Sequence, residues 1–435
     1  MNNNDTFSIF WFRRDLRLFD NSALFHALTA GMKVFPIFIF DKNILDKLNA
    51  DDKRVNFIFQ AIENLNFLLK PHKSAIQLYY GNPQEIFEQI LSKYKVKTVF
   101  ANHDYEPYAI GRDLQIERLL KLRGVGFQTY KDQIVFEKSE ITKVSGEPYT
   151  IFTPYNHKWL EKLNQDNSCL KTWNSEDYLN NFYEVEDKCT LQLSDIGFSE
   201  IKDVYQQFQP NIPILENYGQ TRDFPALDST SRAGIHLRFG MVSVRQLVAL
   251  ALQTNAVWLN ELIWREFFMQ ILFHFPNVEN HPFKPKYQFI NWINNEKDFE
   301  AWSKGMTGYP LVDAGMRELN ETGFMHNRVR MVTASFLIKH LLVNWQWGEA
   351  YFASKLLDFD LSANNGNWQW AAGTGCDAAP YFRIFNPTTQ AEKFDHENIY
   401  IKKWVPEFNT SKYCKPIVEH SFARKRCLEA YKSAL

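Results

Sequence analysis

The first third of the chain alternates short β-rich runs with helical periods, and that alternation constrains the fold more than any other feature. FSIFWF (7–12), KVFPIFIF (33–40), AIQLYY (75–80), KTVFAN (97–102) and FQTY (127–130) read as buried strands. Between them, 21–30, 52–70, 83–94 and 109–122 carry apolar residues at three- and four-residue spacing, which predicts helices. Strands separated by helices pair in parallel through right-handed crossovers. The expected fold over 1–131 is therefore an α/β, Rossmann-like, doubly wound parallel sheet. No GxGxxG follows the first strand, so the sheet does not announce a dinucleotide.

From 132 to 205 the sequence turns polar and irregular, with an acidic stretch at Glu184, Glu186 and Asp187; a surface connector without chemistry is expected. From 206 to 435 the periodic segments are helical (243–253, 255–275, 297–303, 310–321, 326–343, 348–356 and 364–372), which predicts an all-α second domain. The helix over 255–275 is expected to be capped near Thr254 and stopped by Pro276. A length of 435 residues fits two domains. The net charge of −1 excludes a globally basic nucleic-acid binder, so any DNA contact must come from a local basic rim.

Five cysteines (169, 189, 376, 414, 427) without a CxxC pair argue against a disulfide framework or a zinc site and for a reducing compartment. No metal is expected. The apolar run before Arg13 and Arg14 reads as a strand and not as a signal peptide, and no stretch approaches a spanning length. A cytoplasmic protein with no membrane segment, acting as a monomer, is the expectation.

The run from Asp358 to Gln390 has a different character. DFDLSANNGNWQW sets carboxylates, amides and two indoles beside small residues, with no Lys or Arg. A solvated helix face would carry charges at helical spacing, and a plain core helix Leu, Ile and Val. Two readings stand: a wall against a flat, hydrogen-bonding ligand such as a flavin or nucleobase, or an Asn/Gly-rich turn beside a buried Trp pair.

Three further constellations carry chemistry. In TNAVWLNELIWREFFMQILFHF, helical spacing aligns Trp258, Glu261, Arg265 and Phe268, with Trp264 on the flank. Burial would raise the pKa of Glu261; an ordinary ion pair with Arg265 is the alternative. In MHNRVRMVTASFL, Asn327, Arg330, Met331 and Ala334 share a face, and Asp358 is the expected partner of Arg330. In YGQTRDFPALDSTSRAGIHLRFG, Thr230, Ser231 and Arg232 offer hydroxyls, N–H groups and a guanidinium suited to a diphosphate, though such runs are common.

These motifs together resemble the photolyase/cryptochrome family, most closely the class I enzymes that split cyclobutane pyrimidine dimers in DNA. The likeness runs from WFRRDLR to FDHENIYIKKWVPEF. It implies an all-α FAD-binding second domain and light-driven repair by electron transfer from reduced FAD to a flipped-out dimer. Cofactor contacts carried over are Tyr218, Thr230, Ser231, Arg232, Ala233, Gly234, Trp258, Glu261, Arg265, Asn327, Arg330, Asp358, Phe359, Asp360 and Asn364. Contacts to UV-damaged DNA carried over are Arg222, Glu261, Trp264, Arg265, Phe268, Asn327, Arg328, Met331, Trp370 and Gln390, with Trp264 and Trp370 stacking on the lesion. Asn364 is implied at the flavin N5, where an amide can meet either redox state. The family's electron-transfer chain maps onto Trp368, Trp345 and Trp292, which with Glu261 and Asn364 complete the implied catalytic set.

Two departures stand out. Phe324 replaces a Trp common near the flavin, and Tyr108–Ala109 replace the Asn-Glu pair that contacts a folate antenna. A second chromophore, if bound, is expected to be of the deazaflavin type and not a folate. The alternative is a cryptochrome-type photoreceptor without repair activity, but only a short stretch follows WVPEF. A six-four photolyase would want paired histidines near the lesion, and here His326 is followed by Asn327.

Overall fold

The computed structural model describes residues 5–185 and 191–434. Glu186, Asp187 and Cys189 lie outside the described residues. Strands β1 (Thr6–Phe12), β2 (Val34–Asp41), β3 (Gln77–Gly81), β4 (Lys95–Asn102) and β5 (Gly126–Tyr130) form one parallel sheet in the order β3-β2-β1-β4-β5. Helices α1 (Ser22–Thr29), α2 (Lys53–Leu69), α3 (Pro83–Lys93) and α4 (Pro107–Leu122) connect them. The two-residue period of a strand explains the layers. Phe7, Ile9 and Trp11 of β1 enter one core with Phe35, Ile37 and Ile39 of β2. Phe10 and Phe12 enter the other with Val34, Phe38 and Phe40. A sheet buried on both faces is what the continuous apolar runs required.

The chain divides into two compact units: Met1–Glu140, Leu160–Gln209 and Ala233–Gln253 form one, and Ile141–Trp159, Pro210–Arg232 and Thr254–Leu435 the other. The expected connector over 132–205 is therefore not a separate body. It also contains a 14-residue helix, α5 (Phe152–Gln165), which buries Phe152, Tyr155, Trp159 and Leu163. Segment 233–253, expected in the second domain, groups with the first. The cause is Arg245 on α6 (Val244–Thr254), buried and bonded to Asp20 at 2.9 Å and Asp132 at 2.8 Å, where Arg17 also reaches Asp132 at 2.6 Å. Burial would raise the Asp132 carboxyl, but the two guanidiniums outweigh it and hold it below the usual carboxylate range.

Along the described residues the second unit has no β-strand and is built from α-helices and short 3-10 or π turns. Helix α7 (Ala256–His274) is capped by Asn255, which accepts from the N–H groups of Val257 at 2.9 Å and Trp258 at 3.3 Å. The cap thus falls near Thr254, as expected, one residue beyond it; Thr254 itself is the last residue of α6. Further along lie α8 (Pro310–Thr322), α9 (Asn327–Ser335), α10 (Trp345–Lys355), α11 (Leu361–Ala372), α12 (Pro387–Phe394) and α13 (His420–Ala434). The helix expected over 326–343 does not run through. After α9 it widens to a π turn at Phe336–His340, and Leu342 takes a left-handed φ of 50°. The Leu342 carbonyl then accepts from Ile293 N–H at 2.8 Å, tying down the loop that carries Trp292.

Candidate active site

Helices α9, α10 and α11 enclose a cavity of roughly 610 Å³ counting its mouth, a size typical of ligand sites. Its wall combines Asn327, Arg330, Met331 and Ala334 of α9 with Phe352 of α10. Asp358, Phe359 and Asp360 lead into α11, which adds Asn364, Trp368 and Trp370. The Asp360 carboxylate accepts from Ser362 N–H at 3.1 Å and Ala363 N–H at 3.2 Å, so it caps α11 and fixes the turn that aims Asn364 inward. The expected ion pair forms: Arg330 Nη2 reaches Asp358 Oδ2 at 2.9 Å, and Arg330 Nε donates to the Met325 carbonyl at 2.7 Å. The other carboxylate oxygen, Asp358 Oδ1, is buried without a protein partner.

Asn364 is oriented by a residue that sequence reasoning missed. Its Nδ2 donates to Glu349 Oε1 at 2.8 Å and to the Glu349 carbonyl at 3.1 Å. Burial raises the Glu349 carboxyl above the ordinary range; the bond from Asn364 opposes this, and nearby Glu279 adds to it. Nothing in WQWGEAYF marks that Glu apart from others.

A second cavity, of about 510 Å³, is lined by Thr230, Arg232, Glu318, Phe324, His326, Lys403 and Trp404 among others. Arg232 adopts φ 49°, a left-handed conformation that a non-glycine side chain rarely takes and that clusters at functional turns. Its guanidinium pairs with Asp228 at 2.9 Å and lies 4.5 Å over the Phe324 ring, which Arg330 approaches at 5.8 Å from elsewhere. His326 Nδ1 accepts from Arg328 N–H, so the neutral ring carries its proton on Nε2, which is buried without a partner. Burial pulls the His326 pKa down to about 4. Trp404 Nε1 is likewise a buried donor without a partner. Orphaned donors beside Thr230, Arg232 and Lys403 suit an acceptor-rich group such as a diphosphate. The first cavity, lined by the amides of Asn327, Asn364 and Asn367 and the rings of Trp368 and Trp370, suits the ring of a flavin. Ser231 sits within the same turn, whereas Ala233 and Gly234 belong to the first unit, where Gly234–Arg238 is helical.

Other expected contacts fall outside these two linings. Trp258 is buried on α7, and Phe268 packs so closely on α11 that a Cβ at Gly366 would lie 2.2 Å from its ring. Glu261 does not pair as the helical spacing suggested. Its carboxylate bonds Arg222, not Arg265, and Tyr218 lies beneath the Arg222 guanidinium at 5.5 Å. Burial raises the Glu261 carboxyl as expected, with Arg222 opposing. Burial, with Glu261 nearby, pushes the Tyr218 hydroxyl up to about 12. Arg328 is bonded to Asp223 at 2.8 Å and stacked over Phe394 at 4.3 Å, so two of the three arginines expected at DNA, Arg222 and Arg328, already hold acidic partners. Gln390 on α12 has a buried, unpartnered Oε1. Arg265 is half-buried on α7.

The three tryptophans of the implied chain enter one hydrophobic cluster, Trp368 and Trp345 buried and Trp292 partly so. Trp368 stands edge-on to Phe352 at 4.9 Å and to Trp302 at 6.2 Å. It fits because position 348 is glycine; a Cβ there would lie 2.1 Å from Trp368 Cη2. Asn344, the cap of α10, donates its own backbone N–H to Asn294 Oδ1 at 2.8 Å, joining the Trp345 segment to the Trp292 loop. Trp292 stands edge-on to Tyr431 at 6.1 Å.

Two family models match the chain: DNA photolyase over residues 8–172, and the FAD binding domain of DNA photolyase over residues 258–412. The chain is similar to the deoxyribodipyrimidine photo-lyase of Escherichia coli strain K12, at 37% identity over 99% of both chains. Its fold matches a bacterial class III photolyase from Agrobacterium tumefaciens with TM-score 0.88 and 32% identity, covering 99% of this chain and 98% of that one. An archaeal photolyase from Sulfolobus tokodaii, solved with two FAD molecules, matches with TM-score 0.82 and 31% identity over 99% of this chain and 100% of that one. With the E. coli relative similar along the whole length and family models on both halves, this chain belongs to the DNA photolyase family, enzymes of light-driven DNA repair.

Proposed function

We propose that this chain splits cyclobutane pyrimidine dimers in UV-damaged DNA, with FAD held at the two cavities of the helical unit. The observation that carries the reading is the cavity where Arg330 pairs with Asp358 while Asn364, fixed by Glu349, faces inward. FAD held there, reduced and excited by light, would supply an electron that opens the dimer ring and would take it back once the two pyrimidines have separated. The protein's part is position and electrostatics. Arg330 sets a positive charge beside the ring site, balanced by Asp358, and Asn364 presents its oxygen to a ring N–H. Thr230, Ser231 and Arg232 hold the phosphates, with His326 Nε2 and Trp404 Nε1 as further donors. Photolyases are among the enzymes established to extrude their target from the duplex. Trp370 and Met331 would meet the flipped bases at the cavity, and Glu261, kept more readily protonated by burial, would donate to them. The test is light-dependent repair of a defined cyclobutane dimer, with a six-four lesion as control. A protein reconstituted with FAD that repairs neither lesion, or only the six-four product, overturns the reading.

A second chromophore belongs to the same proposal. In the first unit a cavity lies just beyond the ends of β2, β3 and β4, lined by Asn43, Asn82, Tyr108, Arg112 and Gln115. Ligands of doubly wound sheets bind in this crevice. Tyr108 is held there by its bond to Asp41 at 2.5 Å and by Asn43 at 3.1 Å, leaving a phenol and a guanidinium at the rim. These groups suit a planar, flavin-like or deazaflavin antenna. Chromatography of chromophores released from the purified protein, before and after Arg112→Ala, tests this; loss of no chromophore overturns it.

Among the described residues no helix is long and apolar enough to cross a membrane.

A further inference from the structure

We propose that Phe152, at the start of a helix in the segment that reads as an inert connector, is a positioning residue of the lesion-facing wall. It fixes Trp264 and reserves one indole face, so that a flipped base can use only the other. The inference rests on the reading of Trp264 as a lesion-stacking residue.

The geometry is specific. The Phe152 and Trp264 rings lie face to face, with centroids 3.6 Å apart and planes 7° from parallel. Isolated aromatic pairs prefer offset or edge-on arrangements with centroids about 4.5–7 Å apart. So direct an overlap must therefore be imposed by the surroundings. Those surroundings form a line of polar ties between 141–159 and α7. Asn156 Nδ2 donates to Asn260 Oδ1 at 3.1 Å, and Trp159 Nε1 donates to Glu266 Oε1 at 2.7 Å. Tyr155 hydroxyl reaches the same oxygen at 3.4 Å, and Gln270 Nε2 donates to the Ile141 carbonyl at 2.6 Å.

Glu266 and Gln270 are buried, and a buried carboxylate on an apolar helix is costly unless bonded. Here its bonds fix where α5 begins. Phe267 closes the edge of the indole at 5.6 Å, and Phe268 makes a wider, tilted stack with it at 5.4 Å and 29°. Trp264 nevertheless stays half-exposed.

The same residue reaches the other expected lesion contact. Phe152 N–H donates to Asp377 Oδ2 at 2.9 Å, in the loop that follows α11, the helix of Asn364 and Trp370. One segment thus holds the carriers of both tryptophans expected at the dimer. A stacking platform whose orientation is fixed in advance saves the ordering cost of binding.

The experiment compares dissociation constants for dimer-containing and undamaged duplex, with FAD content measured on each variant. Phe152→Leu keeps apolar volume but removes the flat ring. It should weaken binding to the dimer duplex by about two- to ten-fold, the range an aromatic pair corresponds to, with FAD content and undamaged-duplex binding retained. Phe152→Tyr should restore parental affinity. In a Trp264→Ala background, Phe152→Leu should add no further loss. Should Phe152→Leu not fold, Asp377→Asn, which weakens the anchor of the Phe152 N–H, carries the same expectation.

Unchanged dimer affinity in Phe152→Leu, or an equal loss with and without Trp264, overturns the proposal. If Trp264→Ala alone binds the dimer as the parent does, the stacking reading of Trp264 has failed and the proposal falls with it. That outcome is distinct from a Trp264 that matters and a Phe152 that does not.

Discussion

Asn364 gives its amide Nδ2 to Glu349 twice, at 2.8 Å to the carboxylate and 3.1 Å to the carbonyl. Both hydrogens of the amide are thereby committed, so Oδ1 is the end left for a ligand. An acceptor there favours a ring nitrogen that carries hydrogen, the reduced state of a flavin. Glu349→Leu should therefore shift the potential of bound FAD towards easier reoxidation, while Glu349→Gln, whose oxygen can still accept, should stay near the parent. Spectroelectrochemical titration decides; parental potential in Glu349→Leu would remove the orienting role. The leucine variant keeps the carbonyl but leaves one buried N–H of Asn364 unsatisfied, and should cost about 1–3 kcal/mol of stability.

The pH dependence of stability follows from the same residue. Burial raises the Glu349 pKa in the folded state, so the folded protein binds this proton more tightly than the unfolded chain. Its contribution is full below the unfolded carboxylate pKa and is lost as pH rises through the folded value. Glu349→Gln cannot lose a proton there. It should therefore gain in thermal midpoint relative to the parent as pH rises above the ordinary carboxylate range. A difference that stays constant over that rise would contradict the buried, proton-holding Glu349.

Which parts of this were legible in the sequence has physical reasons. Strands and crossover helices of the first unit were readable because each is a local periodic pattern. Helix α5 was not recognised, although Phe152, Tyr155, Trp159 and Leu163 carry helical spacing, because polar residues and Pro154 surround them. The Arg330–Asp358 pair was readable because a buried guanidinium demands a carboxylate. The observed partner of Glu261 is not legible in the sequence for the opposite reason. Arg265 is the local helical neighbour, but Arg222, 39 residues away, is the one the fold supplies. Glu349 and Phe152 became visible only through distances between remote segments.

DNA binding should reveal the internal neutralisation of the arginine rim. Arg328 is paired with Asp223 at 2.8 Å, and Arg222 with Glu261. Arg328→Ala should lower the slope of log affinity against log salt by about one phosphate contact. Asp223→Asn should do the reverse, strengthening binding to damaged and undamaged duplex alike. If Asp223→Asn binds more weakly than the parent, Arg328 needs its partner for position, and the electrostatic account fails.

Photoreduction of the oxidised cofactor tests the tryptophan route. Trp368 is buried and lines the cavity, while Trp302, fully buried and edge-on to it at 6.2 Å, lies outside the implied chain. Trp368→Phe conserves the flat ring but removes the easily oxidised indole, and it should slow photoreduction at least tenfold with FAD still bound. Trp302→Phe should leave the rate near parental, although both substitutions disturb the same core. Flash photolysis on the pair separates a redox role from packing, because packing damage would appear in both. Equal rates in Trp368→Phe and the parent would take Trp368 out of the chain.

Glu261→Gln addresses the lesion side. The amide keeps size and can donate a hydrogen bond, but it cannot release a proton towards the charge that develops on a splitting dimer. Burial raises the Glu261 carboxyl against the pull of Arg222, so it holds a proton more readily than an ordinary carboxyl. The variant should retain FAD and bind the dimer, yet lower the number of dimers split per absorbed photon. Because the side chain is about a third exposed, loss of its pairing with Arg222 should cost only about 0–1 kcal/mol after solvent screening. Quantum yield and thermal midpoint measured on the same preparation distinguish the two roles. A falling midpoint with unchanged yield would leave Glu261 a structural partner of Arg222 and nothing more.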